Sequence, residues 1–283
     1  MEKLAFCFLL AGMLSTSAHA YVGAVSSATA EAGRASVEAT DAPFLNPASL
    51  PYLKGYIFSA GYATARDQTD SRGQDFAVAI SDNMTETVVP TSLGFVQSKA
   101  DFASEDQVVR DFRLNFGNFI RKGFALGIGV RYKDDQLPEN RYNQLNSNVG
   151  ALMSMNENVG FAAVFENILG AKADIPESAR LRPSMAFGGT YIYRRFFRTR
   201  ADVITASNNS FDRPILAAGI ETYMNKWIIL RFGAQRRNEE KANVYSTGIG
   251  FTGPRFGIHY AYLSSPDLES FTRHTVDLAV PIW

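Results

Sequence analysis

The hydrophobic positions of the chain recur with a period of two, most cleanly in Phe124-Ala-Leu-Gly-Ile-Gly-Val-Arg-Tyr-Lys133. Phe124, Leu126, Ile128, Val130 and Tyr132 fall on one side, and Ala125, Gly127, Gly129, Arg131 and Lys133 on the other. Successive side chains of a β-strand point to opposite faces, so this is a strand with one greasy face and one small or cationic face. A soluble core does not need the second face. A wall with lipid outside and water inside does.

The same alternation continues through the chain. Phe112, Leu114 and Phe116 interleave with Asp111, Arg113 and Asn115, and Ile228, Leu230 and Phe232 with Arg231 and Gly233. Phe256, Ile258, Tyr260 and Tyr262 oppose Arg255, Gly257, His259 and Ala261. The spacing predicts fourteen strands, at 54–64, 73–81, 89–98, 107–116, 124–133, 143–155, 159–168, 182–194, 196–206, 212–222, 226–236, 242–252, 255–263 and 270–282, with twelve as the alternative. Strands of about 9–11 residues cross a bilayer when tilted. The reading is all-β: a transmembrane antiparallel β-barrel over residues 54–283.

Connection lengths support a barrel. Links after even-numbered strands are short (117–123, 156–158, 194–195, 223–225, 253–254), whereas polar links after odd-numbered strands are longer (65–72, 99–106, 134–142, 169–181). Short periplasmic turns and longer external loops are the outer-membrane pattern. Residues 82–88 break it, being long where a short turn is expected. Trp283 supplies the terminal aromatic of an outer-membrane barrel, although it is out of phase with Val276, Leu278, Val280 and Ile282.

Two segments precede the barrel. Lys3, the apolar run 4–14 and Ala18-His-Ala20 read as a signal peptide over residues 1–20, too short in its apolar part for a spanning helix. Its removal takes away Cys7, the single cysteine, so the mature chain has no disulfide framework. Residues 21–53 are rich in Ala, Ser and Gly and lack strand periodicity. They read either as a tail or as a plug packed inside the barrel.

Composition excludes some classes. Lys and Arg total 28 and Asp and Glu 28, so no basic excess points to nucleic acid. Gly248-Ile-Gly-Phe-Thr-Gly253 has dinucleotide-fingerprint spacing, but it lies in a strand that turns into another strand, and the fingerprint needs a helix there. The mature chain keeps two histidines, His259 and His274, without metal-ligand spacing or a matching serine motif. No enzyme, metal or cofactor is expected. The lumen-lining candidates are Asp111, Arg113, Arg131, Lys133, Arg194, Glu221, Arg231, Arg255 and His259. They either solvate a wet interior and pair among themselves, or pair with Glu31, Glu38 or Asp41 to hold residues 21–53 in place.

The stretch Glu31-Ala-Gly-Arg-Ala-Ser-Val-Glu-Ala-Thr-Asp-Ala-Pro-Phe-Leu-Asn-Pro-Ala-Ser-Leu50 resembles the N-terminal hatch of the FadL-like outer-membrane transport superfamily. Gly33, Arg34, Asp41, Asn46, Pro47 and Ala48 carry the likeness. Ala217–Glu221, Leu230–Gly233, Gly248–Gly250 and His259–Tyr262 resemble its PorV/PorQ-like branch. The resemblance implies a bacterial outer-membrane location and a fourteen-stranded barrel plugged by residues 21–53. It further implies binding or passive transport of hydrophobic small molecules or membrane lipid. The alternative is a PorV-like component of a protein secretion or surface assembly complex. Lipid-facing and subunit-facing apolar residues share one signature, so a homo-oligomer is left open.

Overall fold

A computed structural model describes residues 21–36, 38–66, 72–84, 86–102, 105–138, 140–172, 174–177, 179–194, 196–205, 211–268 and 271–282. The expected signal peptide and Trp283 lie outside them.

Fourteen antiparallel strands close into one barrel. They are β1 (Gly55–Arg66), β2 (Arg72–Asn83), β3 (Thr91–Phe102), β4 (Glu105–Arg121), β5 (Phe124–Gln136), β6 (Arg141–Ser154), β7 (Val159–Glu166), β8 (Ser184–Tyr193), β9 (Phe197–Ile204), β10 (Ile215–Tyr223), β11 (Ile228–Arg237), β12 (Ala242–Thr252), β13 (Gly257–Ser265) and β14 (Phe271–Ile282). Each strand pairs with its sequence neighbours, and β1 pairs with β14 from Tyr56↔Ile282 to Arg66↔Thr272. Closure leaves no exposed strand edge, the condition for a sheet to stand in hydrocarbon. Among the described residues no helix is long and apolar enough to cross a membrane.

The two faces sort as the period-two pattern requires. In β5, Leu126, Ile128, Val130 and Tyr132 are exposed, whereas Ala125, Gly127, Gly129, Arg131 and Lys133 are buried. A protein with greasy side chains outside and charged ones inside is turned inside out relative to a soluble domain. The charges are buried because the lumen is full.

Residues 21–36 and 38–53 fill it. They form two short helices, α1 (Ala24–Ala28) and α2 (Ala42–Leu45), and a 3-10 helix (Pro47–Tyr52), all against the inner wall. The small residues of the wall are where this segment presses closest. A Cβ on Gly127 would collide with the Pro47 carbonyl and the Ala48 amide, and one on Gly233 with the Thr29–Ala30 peptide. Ala48 packs with Ala125 and Leu152, and Ala24 and Ala28 with Ala261.

Asn46 explains the Asn-Pro-Ala stretch. Its Oδ1 accepts from the Ala48 amide at 3.0 Å, capping the 3-10 helix, while its Nδ2 donates to the Arg34 carbonyl at 2.9 Å. Pro47 at the first helical position lacks the amide that would otherwise go unpaired there.

The strands extend further outward than the periodicity indicated. β3 reaches Phe102 and β4 begins at Glu105, so the expected loop 99–106 is mostly strand, and β5 and β6 are joined through 137–140. On the other side, 117–121 belongs to β4 and the turn is Lys122-Gly123, with Gly123 at φ 76°. The exceptional link after β2 is real and spans 84–90. The connection 167–183 is the longest, and it folds inward.

Candidate functional site

One candidate site is the contact between the N-terminal segment and β9–β11. Glu38 Oε1 accepts from Arg198 Nη1 at 2.7 Å and from Arg200 Nη2 at 2.8 Å. Behind it, fully buried Glu221 accepts from Arg200 Nε and Arg231 Nε, both at 2.8 Å. Arg231 Nη1 lies 3.0 Å from His259 Nδ1. Because a guanidinium only donates, Nδ1 accepts and the ring carries its proton on Nε2. Two carboxylates and three guanidiniums thus form a chain from the segment across three strands.

A second network holds the same segment on β3–β5. Asp111 accepts from Arg113 Nη2 at 3.0 Å and from Arg131 Nε at 3.0 Å. Arg113 Nη1 donates to the Phe44 carbonyl at 2.7 Å, and Asn115 Nδ2 to the Pro43 carbonyl at 3.0 Å. On β9, apart from this network, Asp202 pairs with Arg34 at 3.1 Å and accepts from the Gly33 amide at 3.0 Å.

Toward the outer mouth, the 167–183 connection is drawn into the lumen. Lys133 Nζ donates to Asp135 at 3.0 Å and to the Ala179 carbonyl at 3.0 Å, and Gln144 Nε2 donates to the same carbonyl at 2.8 Å. Asn146 and Asn148 bond the backbone of 167–170, and Arg131 Nη1 donates to Asn167 Oδ1 at 3.2 Å. Ile175, Ala179 and Leu181 are buried.

Seven of the nine lumen candidates therefore sit on the inner wall, each with a partner: Asp111, Arg113, Arg131, Lys133, Glu221, Arg231 and His259. Arg194 and Arg255 do not. Arg194 lies in the exposed turn after β8 at φ 47°, with its guanidinium 5.2 Å from the Tyr193 ring centroid. Arg255 is exposed in the turn between β12 and β13. Strand parity was carried past the ends of those strands, where the turn re-aims the side chain. Asp41 makes no ion pair with Arg231: it accepts from the Gly23 amide at 2.7 Å and from Ser26 Oγ at 2.6 Å. Burial holds its carboxyl above the ordinary range, against the Ser26 hydrogen bond and the Arg200 charge.

Sequence reasoning missed Arg198, Arg200 and Asp202. Their signal was the parity of 198, 200 and 202 against Thr199, Ala201 and Val203.

The outer wall carries a different feature. Phe58, Val78, Ile80, Leu93, Phe95 and Phe112, with Leu114, Val130 and Tyr132, border an apolar groove of about 410 Å³ on β1–β5. Ala79, Gly94 and Arg113 form its floor. Phe44 lies directly behind Gly94, where a Cβ would stand 3.0 Å from its ring. Among the described residues no group of three or more His, Asp or Glu side chains could hold a metal ion.

These features define a class: a fourteen-stranded transmembrane barrel closed around its own N-terminal segment, with an apolar groove facing the bilayer. No family model matches the chain, and no curated protein matches it in sequence. Solved structures do match in fold. The toluene transporter TbuX of Ralstonia pickettii superimposes with a TM-score of 0.74 over 94% of this chain and 100% of its own, at 12% identity. The CymD monoaromatic hydrocarbon channel gives 0.72 over 92% and 97%, at 10% identity. A Pseudomonas aeruginosa FadL homologue gives 0.61 over 93% and 99%, at 11% identity. At such identities the likeness is one of fold.

Proposed function

We propose that the protein is an outer-membrane barrel that binds hydrophobic small molecules or lipids and passes them by a passive, FadL-like route, with residues 21–53 as its hatch. The 410 Å³ groove carries this reading. It has the size of a small-molecule site, is lined by aromatic and aliphatic side chains, and faces the bilayer, where apolar ligands partition. Its floor at Gly94 is backed by Phe44 of the hatch, and because β2, β3 and β4 pair in unbroken register through Gly94, passage to the lumen needs a local parting of these strands as well as displacement of α2. That route needs no covalent chemistry and no cofactor. The hydrocarbon channels with the same fold favour it.

The reading includes processing after Ala20, so that the mature chain begins at Tyr21. It is tested by lipid extraction and mass spectrometry of the purified barrel, together with hydrocarbon and fatty-acid uptake in a deletion strain. A barrel that never carries an apolar ligand and whose loss leaves uptake unchanged ends it.

A second, PorV-like reading makes the barrel an adaptor in a secretion or surface assembly. The turn 84–90 favours it, because Val88 is 86% exposed and Met84 and Val89 are exposed beside it on the periplasmic rim. Crosslinking in intact cells separates the two: a stable partner of another kind belongs to the adaptor.

A further inference from the structure

Two carboxylates meet inside the barrel beside the start of the mature chain. Asp41 Oδ1 accepts from the Gly23 amide at 2.7 Å, and Asp277 Oδ2 of β14 accepts from the neighbouring Ala24 amide at 2.8 Å. Both side chains are buried, at 3% and 2% exposure. Among the described residues neither makes an ion pair. The nearby guanidiniums ion-pair elsewhere, Arg273 with Asp75 at 2.8 Å, Arg231 with Glu221, and Arg200 with Glu38 and Glu221, although Arg273 Nε and Arg200 Nη1 have no partner. Removing a carboxylate from water without a counter-charge is among the costliest acts in folding.

Polar atoms around the two acids are left without partners. Asp277 Oδ1, Tyr21 Oη, Thr40 Oγ1 and Thr275 Oγ1 are all buried without a partner. Tyr21, Thr40 and Asp277 border one cavity of about 10 Å³, close to the space of a single water molecule. Asp277 Oδ1 is an unfilled acceptor, and the two acids lack a cation.

Processing would supply it. Hydrolysis of the Ala20–Tyr21 peptide bond by a signal peptidase consumes one water, leaving a carboxylate on Ala20 and an ammonium on Tyr21. The new charge arises two residues from Gly23, and two residues of extended chain reach about 7 Å at most. We propose that Asp41 and Asp277 form the binding site for the α-ammonium of the mature chain, so that removal of the signal peptide completes the docking of the N-terminal segment. A peptide nitrogen at Tyr21 has neither the charge nor the three donors to fill this role. The inference rests on the processing reading and is independent of what the barrel transports.

The test starts with intact-mass measurement of the purified outer-membrane protein. An N-terminus other than Tyr21 overturns the processing reading and this inference with it, leaving the groove untouched. With Tyr21 established, three chains are compared with the mature protein: Asp277→Asn, a chain extended by one alanine ahead of Tyr21, and the combination. Each single change should lower the melting temperature, and the combination should add little, a coupling of about 10-fold or more in the unfolding equilibrium. Additive losses overturn the inference alone. An amine-selective reagent at neutral pH should label Tyr21 about 10-fold more slowly in the folded barrel than in the urea-unfolded chain, and equal rates overturn it. A melting temperature of the mature protein that depends on sodium over choline at constant ionic strength would assign the pair to a metal ion instead.

Discussion

Arg200 of β9 lies 2.8 Å from Glu38 of the N-terminal segment, and the same guanidinium also serves Glu221 of β10. One side chain therefore ties the segment to the wall and the wall to itself. Its loss would leave one carboxylate half-exposed and another buried with fewer donors.

Glu221 is the more severe position. Glu221→Gln keeps the shape but leaves Arg198, Arg200 and Arg231 facing a neutral amide, and breaking a buried pair in this way costs about 3–5 kcal/mol. Glu38 is 21% exposed in its side chain, and both Arg198 and Arg200 keep Glu221 as a counter-charge when it is lost, so Glu38→Gln should cost less. Heat-modifiability on gel electrophoresis, read as the temperature at which the folded band is lost, should rank Glu221→Gln far below Glu38→Gln. Equal losses would mean that the segment, and not the wall, depends on the network.

The glycines of the inner wall make a steric prediction. Gly127→Ala drives a Cβ into the Pro47 carbonyl and the Ala48 amide, backbone atoms that cannot rotate away. Overpacking of this kind costs about 1–3 kcal/mol, and the segment can escape it only by moving. Protease cleavage within 21–53 should therefore rise in the purified variant. Gly189→Ala, whose nearest neighbours stand 3.9 Å away, should leave the digest unchanged.

The strands were legible because a barrel in lipid must show each face on alternate residues, so Phe124 to Lys133 alone disclosed both solvents. Their ends were not, because residues 99–106 are polar whether they form a loop or a strand projecting into water. Arg194 and Arg255 failed for a related reason: a turn resets parity, and nothing local marks where. Contacts across the lumen are set by the closed topology, which is why Glu38 finds Arg200 and Asp41 does not find Arg231. The inward fold of 167–183 was likewise invisible, since its anchors Lys133, Gln144 and Asn146 read as ordinary inner-wall polar residues.

That connection offers its own test. Lys133→Met removes the donor shared by Asp135 and the Ala179 carbonyl, leaving Gln144 as the bond to Ala179. The connection should loosen at the outer mouth. Trypsin added to intact cells should then cut at Lys172, Arg180 or Arg182 more readily than in the parent, and the melting temperature should fall as well, because fully buried Asp135 keeps Gln107 as a donor but loses its counter-charge. Unchanged cleavage would show that the asparagine contacts at 146 and 148 suffice.

Asp41 gives a pH dependence whose sign is fixed by burial. A carboxyl with a folded pKa raised above its unfolded value of about 3.9 contributes stability that is complete below that value and is lost as pH rises through the folded pKa. In a chain extended ahead of Tyr21, the melting temperature should fall with rising pH relative to Asp41→Asn. In the mature chain an α-ammonium would favour the ionised acid and flatten that difference. Parallel curves for the extended chain and its Asp41→Asn variant would remove Asp41 from the account.

The groove predicts a loss of transport without a loss of stability. Val130 borders it from β5 with its side chain toward the bilayer, so Val130→Trp adds a bulky apolar group to the cavity without touching the lumen. Tryptophan is tolerated on a lipid-facing wall, and no buried partner is removed. Uptake of a hydrophobic substrate should fall severalfold at an unchanged melting temperature. Leu145→Trp, equally lipid-facing on β6 but outside the groove, is the control and should do neither. If Val130→Trp transports normally, the groove is only a dent in the wall. If both variants slow uptake, crowding of the lipid-facing surface is responsible, and the route past Gly94 and Phe44 loses its support.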